Sequence, residues 1–509
     1  MDEVNRALQG IARGTGIIFF GTIISLIFGF ITRVVVARHF LPSDYGIYAI
    51  SLTILNIAVV IATVGIPAGL PREIAYNLEK DRKKVEQIKS SSFFLVLLTS
   101  IALFSLMFLG VGKIAEIFDE ESLDYSLRLM AIALPFMSIS GVIIAISRGF
   151  GRVKEQLYFQ NLLNPFLFLS SVIVIVATSS QFITIFYAYV LAVTLTSLIL
   201  LSYSLRIDVL KITLNIDLGV VKKLVVFSFP LFISSVLTFL VTWADTLMLG
   251  YFKNAEIVGI YNSAVPLAQL IPLFLNSAGY IYMPVASSLY ARGKLAEMRR
   301  TYQILTKWIF LFTLPIFSIM FLFPEATISF FFGERYLWAG NALRILSLGF
   351  MFHSFVGMNG ISLIVTGESN FILVSNIVVT GLNILLNILL IPIYGMEGAA
   401  TATAVSYIAG NTLISSKLYR KTKIHPFSLN YIKPLLISFA LLIMIQMLHL
   451  EITSIWFAIP ILVVFLIVYF LLVLFSKSVD KEDVELFLAV ERKLGIEMEI
   501  VKKILRRFV

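Results

Sequence analysis

The 509-residue chain contains no cysteine. Disulfides, thiol nucleophiles, iron–sulfur clusters and cysteine-ligated zinc are therefore excluded. Histidine is nearly as scarce: His39, His353, His425 and His449 stand far apart, with no spacing that would bring two imidazoles onto one metal. Charge is the third shortage. Only 14% of the residues are Asp, Glu, Lys or Arg, against about a quarter in soluble domains. No glycine-rich phosphate loop, nucleophile elbow or helical zinc motif occurs, and no catalytic residue or cofactor is expected.

What fills the chain is apolar. Hydrophobic residues make up 59% and aromatic residues 13%, and the mean hydropathy is +0.94. Such a sequence needs lipid as part of its solvent. A membrane span takes about twenty mainly apolar residues. The runs predict about fourteen, at 14–37, 45–67, 91–112, 126–147, 158–178, 182–203, 224–250, 258–283, 304–323, 338–360, 371–393, 396–418, 433–450 and 453–475. The first run continues to Val36, too long for a cleaved signal, so it is expected to stay as a span. The runs do not alternate polar with apolar, so they are expected to be helices rather than barrel strands. The fold class is an all-α membrane protein.

The cations test the count. Lys and Arg favour cytoplasmic loops. With the N-terminus inside, alternate loops collect nearly all of the 40 lysines and arginines, while the outside loops hold only Arg38, Lys113, Lys253 and Arg335. Both termini are then cytoplasmic, in a cell membrane. The net charge of +10 follows from this topology and from attraction to membrane lipids, and nucleic acid is not expected as a partner.

The two halves of the chain repeat each other. Asp44-Tyr45-Gly46-Ile47-Tyr48-Ala49 opens the second span, and Ile257-Val258-Gly259-Ile260-Tyr261-Asn262 opens the eighth. Pro67 and Arg82-Lys83 recur as Pro284 and Arg299-Arg300; Arg128, Gly141 and Gly151 recur as Arg344, Gly357 and Gly367. An even number of spans per copy gives a parallel repeat with its pseudo-twofold axis along the membrane normal, an arrangement known from transporters. The expected domains are an N-lobe of six helices (1–222), a C-lobe of six (223–430), two further helices (431–476) and a cytoplasmic amphipathic tail (477–509), with membrane-surface attachment the expected role of the tail.

The residues that carry these patterns resemble a family. Leu41-Pro42-Ser43-Asp44-Tyr45-Gly46-Ile47-Tyr48, Gly65-Ile66-Pro67 with Pro71-Arg72-Glu73, Arg148-Gly149-Phe150-Gly151-Arg152 and Val258-Gly259-Ile260-Tyr261-Asn262 are similar to segments of polysaccharide-biosynthesis and O-antigen-type flippases. Those belong to the multidrug, oligosaccharidyl-lipid and polysaccharide exporter superfamily. The likeness runs over residues 1 to about 475. It implies two six-helix lobes around a V-shaped cavity, and transfer of a lipid-linked oligosaccharide from the inner to the outer leaflet. Lipid-linked oligosaccharide, membrane lipids and glycan-assembly enzymes are the implied partners.

A polyprenyl-diphosphate head needs a wet, cationic route, and arginine suits diphosphate because its planar fork meets phosphate oxygens in pairs. The candidate substrate-binding residues are Arg13, Arg33, Arg72, Arg128, Arg148, Arg152 and Arg344. Arg33 reads equally as a cavity residue or as an arginine snorkelling to the interface. Arg128 and Arg344 occupy equivalent places and read as interface anchors as well as cavity residues. The others also fit plain topology. Asp245 is the one acid deep inside an apolar stretch. With Asn383, Asn387, Thr401 and Thr403 it is a candidate coupling-ion site for Na⁺ or H⁺, against a structural salt bridge to Arg33 or Arg344. His353 reads as a hydrogen-bonded histidine of the bundle interior. The competing functions are a drug or cation antiporter of the multidrug and toxin extrusion type, a flippase for the peptidoglycan precursor, and an integral-membrane glycosyltransferase. The basic bias of the cavity candidates disfavours a cationic drug, and no acid pair or metal motif supports a transferase.

Overall fold

The computed structural model describes residues 2–210, 217–448, 450, 452, 454–478 and 480, with side chains from residue 21 onward. The proposed amphipathic tail beyond 480 and most of the linker at 211–216 lie outside the described residues, as does the side chain of Arg13.

The described residues are almost wholly helical. In chain order the helices are α1 (Asp2–His39), α2 (Pro42–Thr63), α3 (Ile66–Asn77), α4 (Arg82–Ile117), α5 (Ser122–Ala131), α6 (Ala133–Gly149), α7 (Asn164–Ala177), α8 (Thr184–Arg206) and α9 (Leu218–Phe252). Then come α10 (Ala255–Ala268), α11 (Leu273–Ala291), α12 (Leu295–Leu322), α13 (Pro324–Phe332), α14 (Gly340–Val356), α15 (Asn359–Val365), α16 (Ser369–Thr422), α17 (Leu429–Met447) and α18 (Ile455–Phe475). A π-helical stretch, Gln156–Leu163, leads into α7. Its cause is local: Pro165 lacks an N–H and crowds the preceding turn, and Asn164 N bonds five residues back, to Phe159 O.

Length and composition give eleven membrane-crossing helices among the described residues, or thirteen if each of two bent pairs is one broken span. The pairs are α10 with α11, bent by 46°, and Glu334–Val356 with α15, bent by 41°. With each bent pair taken as one span, the count differs from the fourteen expected at α16 alone. Its 54 residues would make a rod of about 80 Å, over twice a bilayer's hydrocarbon thickness. It breaks at Gly395, whose φ is 58° and ψ −128°. Beyond the break the arms run antiparallel: Asn383 Nδ2 donates to Thr403 Oγ1 at 3.3 Å, and Gly410 lies against Val379.

The chain divides into two compact units, 1–262 with 391–396, and 263–390 with 397–509. In the first, α3 packs against α6 and α9, and α1 against α7. Ile66, Leu70 and Ile74 of α3, Val142 and Ile146 of α6, and Leu224 of α9 share its core. The repeated Gly-Ile-Tyr motifs meet inside this unit. The first turns of α2 and α10 cross at Gly46 and Gly259 so closely that a Cβ on Gly46 would lie 2.6 Å from the Ala255 carbonyl carbon, and one on Gly259 2.8 Å from that of Pro42. Only glycine allows two helix backbones to touch in this way.

In the second unit the core gathers Tyr282, Met298, Tyr302, Ile309, Leu363 and Leu418. The break between α14 and α15 sits at Gly357, with φ +76°. A break orphans carbonyls, and tyrosines take them up: Tyr302 donates to Val356 O and Tyr431 to Phe355 O at 2.8 Å.

Among the described residues each unit also buries one lysine beside the chain that leaves a helix end. Lys89 is 1% exposed. Its Nζ lies 2.8 Å from Glu86 Oε1 and donates to Val209 O at 3.1 Å, three residues past α8. Lys307, 3% exposed, donates to Ser478 O at 3.4 Å, three residues past α18, and pairs with Asp480. In both places a residue of positive φ, Asp208 or Lys477, turns the captured carbonyl towards the lysine.

Candidate functional site

Four helices of the first unit bring an arginine into an aromatic setting. Arg33 of α1 is half-buried, its guanidinium carbon 6.0 Å from the ring centre of Trp243 on α9. It lies within electrostatic reach of Tyr45 and Tyr48 on α2. Those two tyrosines stack at 6.4 Å, Tyr48 stacks on Phe168 of α7 at 6.3 Å, and Trp243 stacks on Phe239 at 6.4 Å. The sequence places the tyrosines there, because the Gly46 crossing fixes the rotation of α2. Arg33 forms no ion pair among the described residues. Arg33 is thus a half-buried arginine within a span, beside the ring of Trp243 and with no carboxylate ion pair among the described residues, a setting that suits an anion.

Asp245, two residues beyond Trp243, is 6% exposed. Tyr261 Oη donates to its Oδ2 at 2.7 Å. Next to it Tyr45 Oη donates to Asn262 O at 3.3 Å, and the Asn262 side chain meets Thr246 Oγ1 at 3.3 Å. Asp245 therefore sits in a set of polar groups supplied by both copies of the repeated motif.

The other candidate arginines divide by partner. Arg128 grips Asp124 with two bonds, Nε to Oδ2 at 2.8 Å and Nη2 to Oδ1 at 2.9 Å, and donates Nη1 to Phe108 O at 3.3 Å. Its repeat mate Arg344, in the second unit, donates Nε to Phe321 O at 3.0 Å and stands 3.7 Å from Glu325 Oε2. Each thus ties its helix to a phenylalanine carbonyl of a neighbouring helix, α4 or α12. Arg152 spends both Nε and Nη2 on Glu155 Oε1, each at 2.7 Å. Arg72 pairs with Glu73 at 3.0 Å. Arg148 is exposed and has no ion pair among the described residues.

In the second unit Asn383, Asn387 and Thr403 form a hydrogen-bonded chain. Asn387 Nδ2 donates to Asn383 Oδ1 at 3.2 Å, and Asn383 Nδ2 to Thr403 Oγ1. The two asparagines are buried to 1% and 0% exposure. Thr401 turns back on its own helix, to Glu397 O at 2.7 Å. His353 Nδ1 lies 2.9 Å from Asn411 Oδ1, which also accepts from Asn359 Nδ2 at 3.1 Å. Sequence reasoning missed Tyr261, although it belongs to the repeated motif, and missed the Asn359–Asn411 pair, which nothing in the local sequence signals.

All-helical among the described residues, crossing the membrane many times and burying polar groups inside its spans, the protein has the build of a membrane transporter. The model of the polysaccharide biosynthesis protein family matches residues 11–290, and that of MatE matches residues 230–389. The chain belongs to the polysaccharide biosynthesis protein family, in the multidrug, oligosaccharidyl-lipid and polysaccharide exporter superfamily. An uncharacterized membrane protein of Methanocaldococcus jannaschii is 26% identical over 74% of this chain and 78% of its own length. A putative O-antigen transporter of Shigella flexneri is 21% identical over 74% and 90%. A probable low-salt glycan biosynthesis flippase of Haloferax volcanii is 25% identical over 36% and 38%. Among solved structures, the lipid II flippase MurJ in an inward closed conformation superposes with a TM-score of 0.72 at 17% identity, covering 90% of this chain and 98% of that one. An inward-facing multidrug-resistance MATE transporter gives 0.67 at 15% identity, over 78% and 94%. Both likenesses concern the fold.

Proposed function

We propose that this protein moves a polyprenyl-diphosphate-linked oligosaccharide from the inner to the outer leaflet of the cell membrane by alternating access, with Na⁺ or H⁺ as coupling ion and without catalysing a chemical reaction. Both termini face the cytoplasm in this reading. The observation that carries it is Arg33: an intramembrane guanidinium set among aromatic rings, with no carboxylate partner among the described residues. The prenyl tail can stay in lipid, but the diphosphate cannot cross hydrocarbon unaided. Arg33 offers it charge and a planar hydrogen-bonding fork, while Trp243 and its aromatic neighbours give sugar rings an apolar face. Arg148 is the second arginine available to an anion. Arg128, Arg152 and Arg344 are already committed to carboxylates and serve mainly to hold helices. Relatives named O-antigen transporter and glycan flippase support the substrate class.

Ion coupling is assigned to Asp245 and to the Asn383–Asn387–Thr403 chain. Each can offer oxygen atoms to a small cation. Asp245 can instead take a proton.

The test is a reconstituted flipping assay. Proteoliposomes carry a fluorescent polyprenyl-diphosphate oligosaccharide, and exposure to an external quencher is followed over time. The wild type should accelerate exposure over protein-free vesicles; Arg33→Ala should abolish the gain, Arg33→Lys should keep a minor part of it, and Asp245→Asn should remove its dependence on an Na⁺ or H⁺ gradient. No acceleration under any gradient would overturn the reading. Gradient-driven extrusion of a cationic dye would then favour the antiporter, the activity to which the MatE match over residues 230–389 would point.

A further inference from the structure

One group of cations lies apart from the Arg33 setting and is built differently. On α3 and the turn after it, Arg72, Tyr76 and Lys80 follow at four-residue spacing and so share one face. The Arg72 guanidinium lies over the ring of Phe227 on α9, 4.9 Å from its centre. The Lys80 ammonium lies over the ring of Tyr76 at 3.8 Å. Lys84, in the first turn of α4, is within electrostatic reach of the same phenol, as is Arg72. The stripe is open: the Arg72 side chain is 66% exposed and Tyr76 58%.

Residues 72–84 hold five cations against three acids. Two of the acids are engaged, Glu73 with Arg72 at 3.0 Å and Asp81 with Lys84 N at 3.1 Å, where it caps α4. On the same turn of α9, Val226 and Phe229 also expose apolar side chains, at 66% and 52%. Cations bedded on rings, an interfacial tyrosine and an adjoining apolar surface match the three parts of a phospholipid: phosphate, glycerol region and acyl chain. A soluble acidic peptide would leave the apolar part uncovered.

We propose that Arg72, Tyr76, Lys80, Lys84 and Phe227 form a binding site for one anionic phospholipid of the leaflet on the basic side of the membrane, separate from the site of the transported substrate. Arg72 is thereby assigned to the surrounding lipid rather than to the cargo. A headgroup on Arg72 lies beside α9 through the ring of Phe227, with Lys80 and Lys84 as its further cations.

The experiment uses the full chain in nanodiscs of phosphatidylcholine with added phosphatidylglycerol, followed by native mass spectrometry of the lipids retained. The wild type should keep one phosphatidylglycerol in preference to phosphatidylcholine. The mild variant K80Q/K84Q alters exposed or half-exposed positions, and should weaken that retention by about 30-fold, at the usual contribution of a lysine near an anionic surface. R72Q/K80Q/K84Q should lose it entirely. Unchanged retention in both variants overturns the proposal. So does displacement of the phosphatidylglycerol from the wild type by an equimolar polyprenyl diphosphate, which would make the stripe part of the substrate's own path.

Discussion

The Gly46–Gly259 crossing is the place where a single methyl group should matter most. An added Cβ at either position meets backbone rather than a side chain: the Ala255 carbonyl carbon at 2.6 Å from Gly46, and the Pro42 carbonyl carbon at 2.8 Å from Gly259. The carbonyl oxygens of Ala255 and Pro42 lie closer still to the added atoms, and ordinary contacts lie at about 3.5–4.0 Å, so the two helices must part by more than about 1 Å. Overpacking of this kind costs about 1–3 kcal/mol, and the upper end applies because neither backbone can turn aside as a side chain would. Parting also stretches the Tyr45–Asn262 bond, already 3.3 Å, at about 1 kcal/mol. Gly46→Ala and Gly259→Ala should therefore each destabilise the first unit by about 3 kcal/mol. The double variant should cost little more than either single one, since one separation makes room for both methyl groups and contacting sites do not add. The assay is reversible unfolding in mixed micelles, with Trp243 fluorescence as readout. Singles costing under about 1 kcal/mol, or a double equal to the sum of the singles, would refute the close crossing.

Two further outcomes follow from the ion pairs. Burial alone would push the Asp480 carboxyl up, but hydrogen bonds from Lys307, Asn430 and Arg300 outweigh it and hold the group below the ordinary carboxylate range. Its stabilising effect is thus present above the unfolded value of about 3.9 and fades as pH falls through the lower folded value. Asp480→Asn, which leaves Lys307 buried beside an amide, should cost the second unit about 3–5 kcal/mol at neutral pH, and the loss of stability below about pH 4 should be shallower in the variant. Equal acid slopes in the two proteins would contradict this role. Arg128→Ala breaks an exposed pair and should cost under about 1 kcal/mol while leaving most of the flipping rate; loss of transport with stability intact would move Arg128 into the substrate path.

Much of this could be read from the sequence, for physical reasons. A span must satisfy its backbone within itself, so apolar run length fixes helix positions, and α4, α8 and α18 fall where the runs predict. The Gly-Ile-Tyr motif stands out twice in the sequence because the crossing tolerates only glycine at Gly46 and Gly259. The Arg128–Arg344 equivalence survives as a shared grip on a phenylalanine carbonyl. What the sequence hid depends on distant partners. Lys89 and Lys307 read as cytoplasmic loop cations, yet both are buried, with acceptors 120 to 173 residues away. The carbonyls of Val356 and Phe355 at the Gly357 break are met by tyrosines 54 and 76 residues from them, and no local pattern announces it. The partners of Arg33 come from α2 and α9, so its aromatic setting exists only once these helices have packed.

The two buried lysines also set a timetable. The Lys89 contacts to Glu86 and to the Val209 carbonyl lie within the first 209 residues, so this fastening can form while the second unit is still being synthesised, in keeping with domains folding as they emerge. Lys307 draws on the far end of the described chain. Two of its acceptors, Ser478 and Asp480, are made about 170 residues later, and until then neither contact can form. The fastening of α12 at Lys307 is therefore complete only after α18 has been made. A nascent chain stalled before residue 478 would lack both of these acceptors, and the tie between α12 and the segment after α18 with them.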